Sequence, residues 1–532
     1  MDLDLLITGA QIVDGTGSPA APGCLGIRDG RIVTLAADRS AAARRKIDAG
    51  GLVAAPGFID VHTHSDLMLL AEPNAPAKIM QGVTTEVIGQ DGLSYAPATE
   101  TTLAHFREAL KALNGDPDGL AWDWRGLGEF LDRFDRRTAV NVAMLAPHGN
   151  LRAMVLGMEN RPATGAELAE MQRLLDQAMQ EGALGLSTGL TYAPCSFADT
   201  RELVGLCRVV ARHGGYFAPH LRNYGPEMEA AVDEVLQVAA ASGAPLHLTH
   251  FQASFPSGVG KAGLYLERIA RARLQGLEIT LDAYPYLAGS TFLAGLLPTW
   301  THEGGPEKLL ARLADPGTRE TIRREMEVTG SDGFQKVPAQ WDIVVISDVA
   351  GRQNAALVGK TLDQIARLRG RPPFECFADL LVEEKLGVSC ITFIGHEENL
   401  QQFMQDPKFM AGSDGLLIGA RPHPRAWGTF ARYLGRYVRQ LGVLSLEECV
   451  RKMTSLPAWR LGLTDRGTLA PGQAADVVLF DPRAVRDTAT YEHPRSHPEG
   501  IPYVLVNGTV VKDDGHPTGA LCGLALRHRR GA

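Results

Sequence analysis

The sequence of 532 residues is poor in cysteine. Cys24, Cys195, Cys207, Cys376, Cys390, Cys449 and Cys522 are odd in number and widely spaced, and no C-x-x-C pair occurs. That speaks against a disulfide framework and a cysteine zinc knuckle, and predicts free thiols in a reducing compartment. No apolar run approaches the ~18 residues that a membrane-spanning helix needs, so no membrane partner is expected. The first residues, MDLDLLITGA, carry acids where a secretory signal needs bases, which predicts a cytoplasmic protein. A basic excess is also missing. Lys and Arg total 53 against 61 Asp and Glu, a net charge of -8, so no nucleic-acid partner is expected. Internal repeats and low-complexity segments are absent. What remains, 45% hydrophobic and 21% charged residues, is the composition of a folded globular chain and excludes disordered, collagenous and coiled-coil classes.

Residues 1–55 read as short strands, with a turn at Asp29–Gly30. From Pro56 short apolar runs alternate with amphipathic segments. The runs are Gly57–Val61, Thr84–Ile88, Val140–Leu145, Ala183–Leu186, Tyr216–Ala218, Leu246–Leu248, Leu277–Leu281 and Phe409–Ala411. Helical spacing fills Ala166–Glu181, Arg201–His213, Glu227–Ser242 and Tyr265–Gln275. Strand-then-helix alternation predicts a parallel α/β sheet, and eight runs suit a closed (β/α)8 barrel over 56–464. Residues 287–396 are too long for one crossover and predict an insertion after the seventh strand, with its own strand at Ile343–Ser347. Strand patterns return near the C-terminus, with a turn at Asn507–Gly508. Residues 1–55 and 465–532 are therefore expected to build one small β-sandwich domain from both chain ends.

His62 and His64 follow the run PGFIDV. Residues i and i+2 of a strand share a face, so both imidazoles point together at the strand's C-terminal end, where barrel enzymes keep their sites. Two nitrogen ligands on one edge suit Zn2+ and related ions. His220 and His250 each end a predicted strand, which sets a second pair side by side. His247 faces the other way and is assigned a structural role. Asp414, in MAGSDG, ends the last predicted strand; it either takes a proton from water and returns it to a leaving amine, or caps the next turn.

His-x-His on the first strand, His on the fifth and sixth and Asp on the eighth form the layout of the amidohydrolase superfamily. The stretches PGFIDVHTHSD, QGVTTEVIG, GALGLSTGLTYAP, HLRNYG, DAYPYLAGST, HPRAWGTFARYLG and GQAADVVLFDP resemble the N-acyl-D-amino-acid deacylases, or D-aminoacylases. The resemblance spans nearly the whole chain. It implies a metal-dependent barrel with a β-sandwich, and hydrolysis of an N-acyl-D-amino acid, a small amide. His220 and His250 correspond to tight zinc ligands, His62 and His64 to a weaker second position, and Asp414 to the general base and acid. Tyr192, Tyr284 and Ser290 correspond to residues that hold the substrate carboxylate.

Two positions depart from that pattern. Asp91 stands where the family has a cysteine ligand. A carboxylate is a harder donor, so either Asp91 binds one or two Zn2+ ions, with Mn2+ or Co2+ admitted, bridging two metals more readily than it mimics a thiolate, or it is a turn residue before Gly92. Gln252 stands where the family places a lysine against the substrate carboxylate. An amide donates a hydrogen bond without charge, so either Arg222, Arg421 or Arg425 compensates, or the substrate is a cyclic or neutral amide. The alternative of another class is a non-catalytic barrel used for binding or assembly. His148, in PHGNLR, either donates to a tetrahedral oxyanion or supports the barrel. Cys195 is expected to be a packed thiol. No lysine lies on the fourth strand, so a carboxylated bridging lysine is not expected.

Overall fold

The computed structural model describes residues 3–36 and 38–528. Residues 1–2, 37 and 529–532, which belong to the expected terminal domain, lie outside the described residues.

Strands from both chain ends share one nine-stranded sheet. Leu3–Ile12 runs antiparallel to Ala21–Arg28 and parallel to Ala43–Asp48 and Val53–Pro56. Val53–Pro56 then pairs antiparallel with Val477–Phe480, which leads to Tyr503–Val506 and Thr509–Asp513. Two of its hairpins turn on left-handed residue pairs, Asp29–Gly30 and Asn507–Gly508, whose positive φ matches the twist of the strands. Alternation gives the sheet two buried faces. Val477 and Leu479 pack with Leu5, Ile7 and Ile27, whereas Val478 and Phe480 join the large central core. Each such side chain contributes on the order of 1.5–3 kcal/mol when fully buried.

Between these ends run eight parallel strands: β1 (Phe58–Asp60), β2 (Val83–Ile88), β3 (Asn141–Met144, resuming at Ala146–Pro147), β4 (Gly185–Gly189), β5 (Tyr216–His220), β6 (Leu246–Leu248), β7 (Ile279–Ala283) and β8 (Phe409–Ala411). β1, β2 and β3 pair in order. From Ala146–Pro147 the order continues through β4, β5, β6 and β7 to β8. A parallel bridge between Thr63 and Gly415 links the ends of β1 and β8. Helices Gly165–Gln180, Thr200–His213, Met228–Ser242 and Ala262–Leu274 alternate with the strands. The first two open on side-chain caps from Thr164 and Asp199, which satisfy otherwise unpaired N–H groups.

β4 starts inside the expected Ala183–Leu186 and runs past it to Gly189, and β5 reaches past the expected Tyr216–Ala218 to His220. Ladder pairing between them continues through Thr188–Pro219 to Gly189–His220. Apolarity therefore marks where the core ends, while the backbone ladder carries on and delivers polar residues to the strand ends.

The segment after β7 holds three antiparallel strands rather than the one expected. Val388–Phe393 lies between Ala288–Phe292 and Val344–Val349. It carries its own core of Leu297, Leu309, Ile322, Phe374 and Phe377.

Candidate active site

The C-terminal ends of the eight strands gather the histidines and carboxylates. His62 and His64 follow β1, Asp91 follows β2, His220 ends β5, His250 follows β6 and Asp414 follows β8. All six are buried. Asp91, His250 and Asp414 have positive φ, 53°, 31° and 48°. L-residues rarely adopt this region, and holding one there costs about 1–3 kcal/mol. Three such residues at one site show that the surrounding packing imposes side-chain direction at the expense of local comfort.

Asp91 is the shared member of two donor sets. In one it joins His62, His64 and Asp414; in the other it joins His220 and His250. Within each set the possible ligand atoms lie within 4.8 Å of one another. Asp91 Oδ1 is 3.4 Å from His250 Nε2 and 3.7 Å from His62 Nε2, and Oδ2 is 3.6 Å from His220 Nδ1 and 3.5 Å from His64 Nε2. His220 Nδ1 and His250 Nε2 stand 3.1 Å apart. Both ring nitrogens of His62 are buried without a hydrogen-bond partner. A buried imidazole left unpaired is costly unless something else engages it. Together with the mixed nitrogen and oxygen donors, this fits one or two divalent cations.

Burial opposes a charge on Asp91, but the imidazoles of His250 and His62 hold its carboxyl well below the usual range. Burial likewise opposes a charge on Asp414, and the Arg425 guanidinium and His64 override it, so this carboxyl too is lowered. His64 is pushed up to about 10, because the Asp414 and Asp91 carboxylates outweigh its burial. Both carboxylates are thus anionic at neutral pH.

Asp414 is held from three sides. Its Oδ1 is 3.1 Å from His64 Nε2, its Oδ2 is 3.0 Å from Arg425 Nη1, and its backbone N–H donates to the His62 carbonyl at 2.8 Å. Beneath it lies a fully buried ammonium, Lys78, which sequence reasoning missed. Lys78 Nζ donates to Asp60 at 2.7 Å, Thr63 at 2.9 Å and Ser413 at 3.0 Å, and stands 3.3 Å from Glu86. Asp60 accepts the Ser413 N–H and so ties β1 to the turn bearing Asp414. Lys78→Met leaves two buried carboxylates without their cation and is expected to destabilise the protein by about 3–5 kcal/mol. Chemical denaturation would show it; an unchanged midpoint would contradict this account.

Asp282, the first residue of DAYPYLAGST, was also missed. It accepts the backbone N–H of His250 at 2.8 Å, pairs with His247 Nε2 at 2.7 Å and stands 3.7 Å from His62 Nδ1. His247 therefore has the structural position assigned to it. Its other nitrogen meets Thr280 at 2.9 Å.

Above the cluster opens a pocket. Tyr192, Gln252, Tyr284 and Ser290 line it. The Tyr192 ring packs 4.9 Å from that of His220, and its hydroxyl meets Thr291 at 3.0 Å. Gln252 is buried, and its amide nitrogen has no partner. Among the arginines considered, Arg425 lines the pocket, with its guanidinium 4.4 Å over the Tyr284 ring and Nε unpartnered. Arg222 does not line it. Its guanidinium pairs with Glu234 at 3.0 Å, away from the pocket. Arg421 donates to the Tyr491 carbonyl and is likewise absent from the wall. His148 is buried outside the pocket between Thr188 and Glu202, at 2.8 Å from each. Cys195 is buried.

Residues 45–512 match the model of the amidohydrolase family. A D-aminoacylase of Alcaligenes xylosoxydans xylosoxydans is 36% identical over 98% of this chain and 97% of its own length. An N-acyl-D-glutamate deacylase of the same organism is 37% identical over 97% of this chain and 95% of its own. The crystal structure of N-acyl-D-glutamate deacylase from Bordetella bronchiseptica, complexed with zinc and a phosphonate mimic of the tetrahedral intermediate, superposes with a TM-score of 0.84. It is 36% identical and covers 99% of this chain and all of its own, 100%. The strand-end cluster and this likeness along the full length agree: the chain belongs to the amidohydrolase family, among the D-aminoacylases and N-acyl-D-amino-acid deacylases.

Proposed function

We propose that the protein is a metal-dependent hydrolase that cleaves N-acyl-D-amino acids to a carboxylate and a D-amino acid. The observation that carries this reading is Asp91, shared by two donor sets around the unpartnered His62. His220, His250 and Asp91 would hold one ion, and His62, His64 and Asp91 a second. Zn2+ is the expected metal, with Mn2+ or Co2+ admitted by the oxygen donor. A divalent metal held there supplies Lewis acidity to an amide carbonyl and to water. Asp414, anionic and oriented by His64 and Arg425, accepts the proton of the attacking water and returns it to the departing nitrogen. Arg425 and Tyr284, with Ser290 and Tyr192 beside them, receive the substrate carboxylate. Gln252 adds a neutral donor. Arg425 is the charge that Gln252 lacks, so the cluster favours a free carboxylate over a cyclic or neutral amide.

The same reading sets the site on a (β/α)8 barrel. The ladder from β1 to β8, with the Thr63–Gly415 bridge, supports closure. Residues 56–464 form the barrel, with an insertion at about 287–396. Residues 1–55 and the segment from 465 form the β-sandwich domain, which the separate core of Leu5, Ile27 and Leu479 supports, while 523–528 leaves it to pair with Thr138, Val142 and Gly182 of the barrel. No helix among the described residues is long and apolar enough to cross a membrane.

A substrate panel tests the reading. Protein of measured metal content is expected to hydrolyse N-acetyl-D-amino acids, spare their L-enantiomers, and lose activity on chelation. Hydrolysis of cyclic imides but of no acyl-amino acid would assign the site to the second substrate class.

A further inference from the structure

Gln90, Asp91, Gly92 and Leu93 form a tight turn, closed by the Leu93 N–H donating to the Gln90 carbonyl at 3.1 Å. Both central residues have positive φ, 53° at Asp91 and 71° at Gly92. This is the backbone of a type I′ turn, for which Asp-Gly is a favoured pair. The local sequence therefore selects the turn. A turn by itself does not fix where its carboxylate stands relative to histidines on other strands.

β4 supplies that fix. Ser187, buried in the middle of β4, grips the turn at both ends. Its hydroxyl donates to the Gly89 carbonyl at 2.5 Å and accepts the Gly92 N–H at 3.0 Å. Gln90 and Asp91 lie between those two backbone groups, so one side chain holds the segment on both sides of Asp91. The seat is close. A Cβ on Gly92 would stand 2.9 Å from the Gly189 nitrogen, and one on Gly189 would stand 2.3 Å from the Asp91 carbonyl oxygen. On the other side the Gly149 N–H donates to the Gly92 carbonyl at 2.8 Å. The turn is thus wedged between β4 and the helix His148–Leu156. Ser187 belongs to neither donor set and is not among the residues lining the pocket.

We infer that Ser187 is a positioning residue for the metal centre: it sets the place of the Asp91 carboxylate and, through it, the metal affinity of both donor sets. This rests on the metal-dependent reading above. β4 supplies neither set with a ligand; its contribution is the clamp. Binding constellations need their members held within about 0.5 Å, and supporting hydrogen bonds do the holding. Ser187→Ala takes the partner from a buried N–H and a buried carbonyl, and the turn must shift to recover them. Because Asp91 is common to both sets, one shift weakens both.

The test measures Zn2+ affinity of the full chain by chelator competition, with unfolding of the metal-free protein and hydrolysis against free Zn2+ on the same preparations. Ser187→Ala is expected to weaken Zn2+ binding by about 10- to 100-fold, the usual effect of removing an outer hydrogen bond at a metal site. Its activity should return at saturating Zn2+ with KM unchanged, since the groups that meet substrate are untouched. Ser187→Cys, whose thiol is a weaker donor and acceptor, should fall between the two, and it carries the test if the alanine variant does not fold. Thr138→Ala is the control. Thr138 is equally buried, donates to the Val140 carbonyl at 2.8 Å and precedes β3, at the end of the barrel away from the site. This variant should lose stability without losing Zn2+ affinity. Parent affinity in the Ser187 variants overturns the inference, as does an equal loss of affinity in Thr138→Ala. A parent protein that takes up no divalent metal would instead overturn the metal-dependent reading.

Discussion

Asp414→Asn is expected to lower kcat about 100- to 10,000-fold, the usual contribution of a positioned proton carrier. The amide keeps the shape of the carboxylate and can still meet His64. It cannot accept the proton of water at neutral pH, and it has none to return to the leaving nitrogen. The Asp91–His220–His250 set is untouched, so at least one metal equivalent is expected to remain. The change also strips the counter-charge from Arg425, which is 1% exposed, so some loss of stability accompanies it. Metal analysis, unfolding and single-turnover rates on one preparation separate these effects. A variant that keeps its metal and its fold but turns over at the parent rate would exclude Asp414 as the proton carrier. Loss of metal instead would make it a ligand.

Asp91→Ala is expected to empty both metal positions. It removes the one group common to the two donor sets, leaving the second set with only His220 and His250. Metal affinity should fall by more than about 100-fold, beyond the 10- to 100-fold that outer-shell changes cost. Activity should fall with it. Asp91→Cys supplies the informative contrast. A thiolate is a good zinc ligand but a poor match for Mn2+, so this variant is expected to recover zinc and to lose any activation by Mn2+. Elemental analysis and activity after reconstitution with each metal decide it. Full metal content in Asp91→Ala would show that the carboxylate is a turn residue before Gly92 and no ligand.

Much of the site is legible in the sequence. His62 and His64 are separated by one residue at a strand end, and that spacing alone sends both rings to one side. His220 and His250 announce themselves by ending apolar runs. Asp91 was legible as a departure from a recognisable stretch. Gln252 was legible in the same way, but its unpartnered nitrogen was not. The strand ends were misjudged wherever the ladder outlasts the apolar residues, as in β4 and β5. Lys78 escaped notice because a lysine between Ala77 and Ile79 reads as a surface residue. Its burial depends on Asp60 and Ser413, 18 and 335 positions away in sequence. Arg425 could be named among three arginines but not chosen, since nothing local distinguishes a pocket guanidinium from one paired with a glutamate.

The sequence by itself determined the α/β class, the run of parallel strands and which histidines and carboxylates the strand ends gather. These depend on period, on composition and on short spacings, all of which are properties of neighbouring residues. The tertiary structure alone decided two further matters. It made Asp91 common to both donor sets and brought Arg425 rather than Arg222 to the pocket wall. Each is a relation between segments distant in the chain. Only the closing of long-range contacts fixes such relations, because a local pattern states which way a side chain points and not what it meets there.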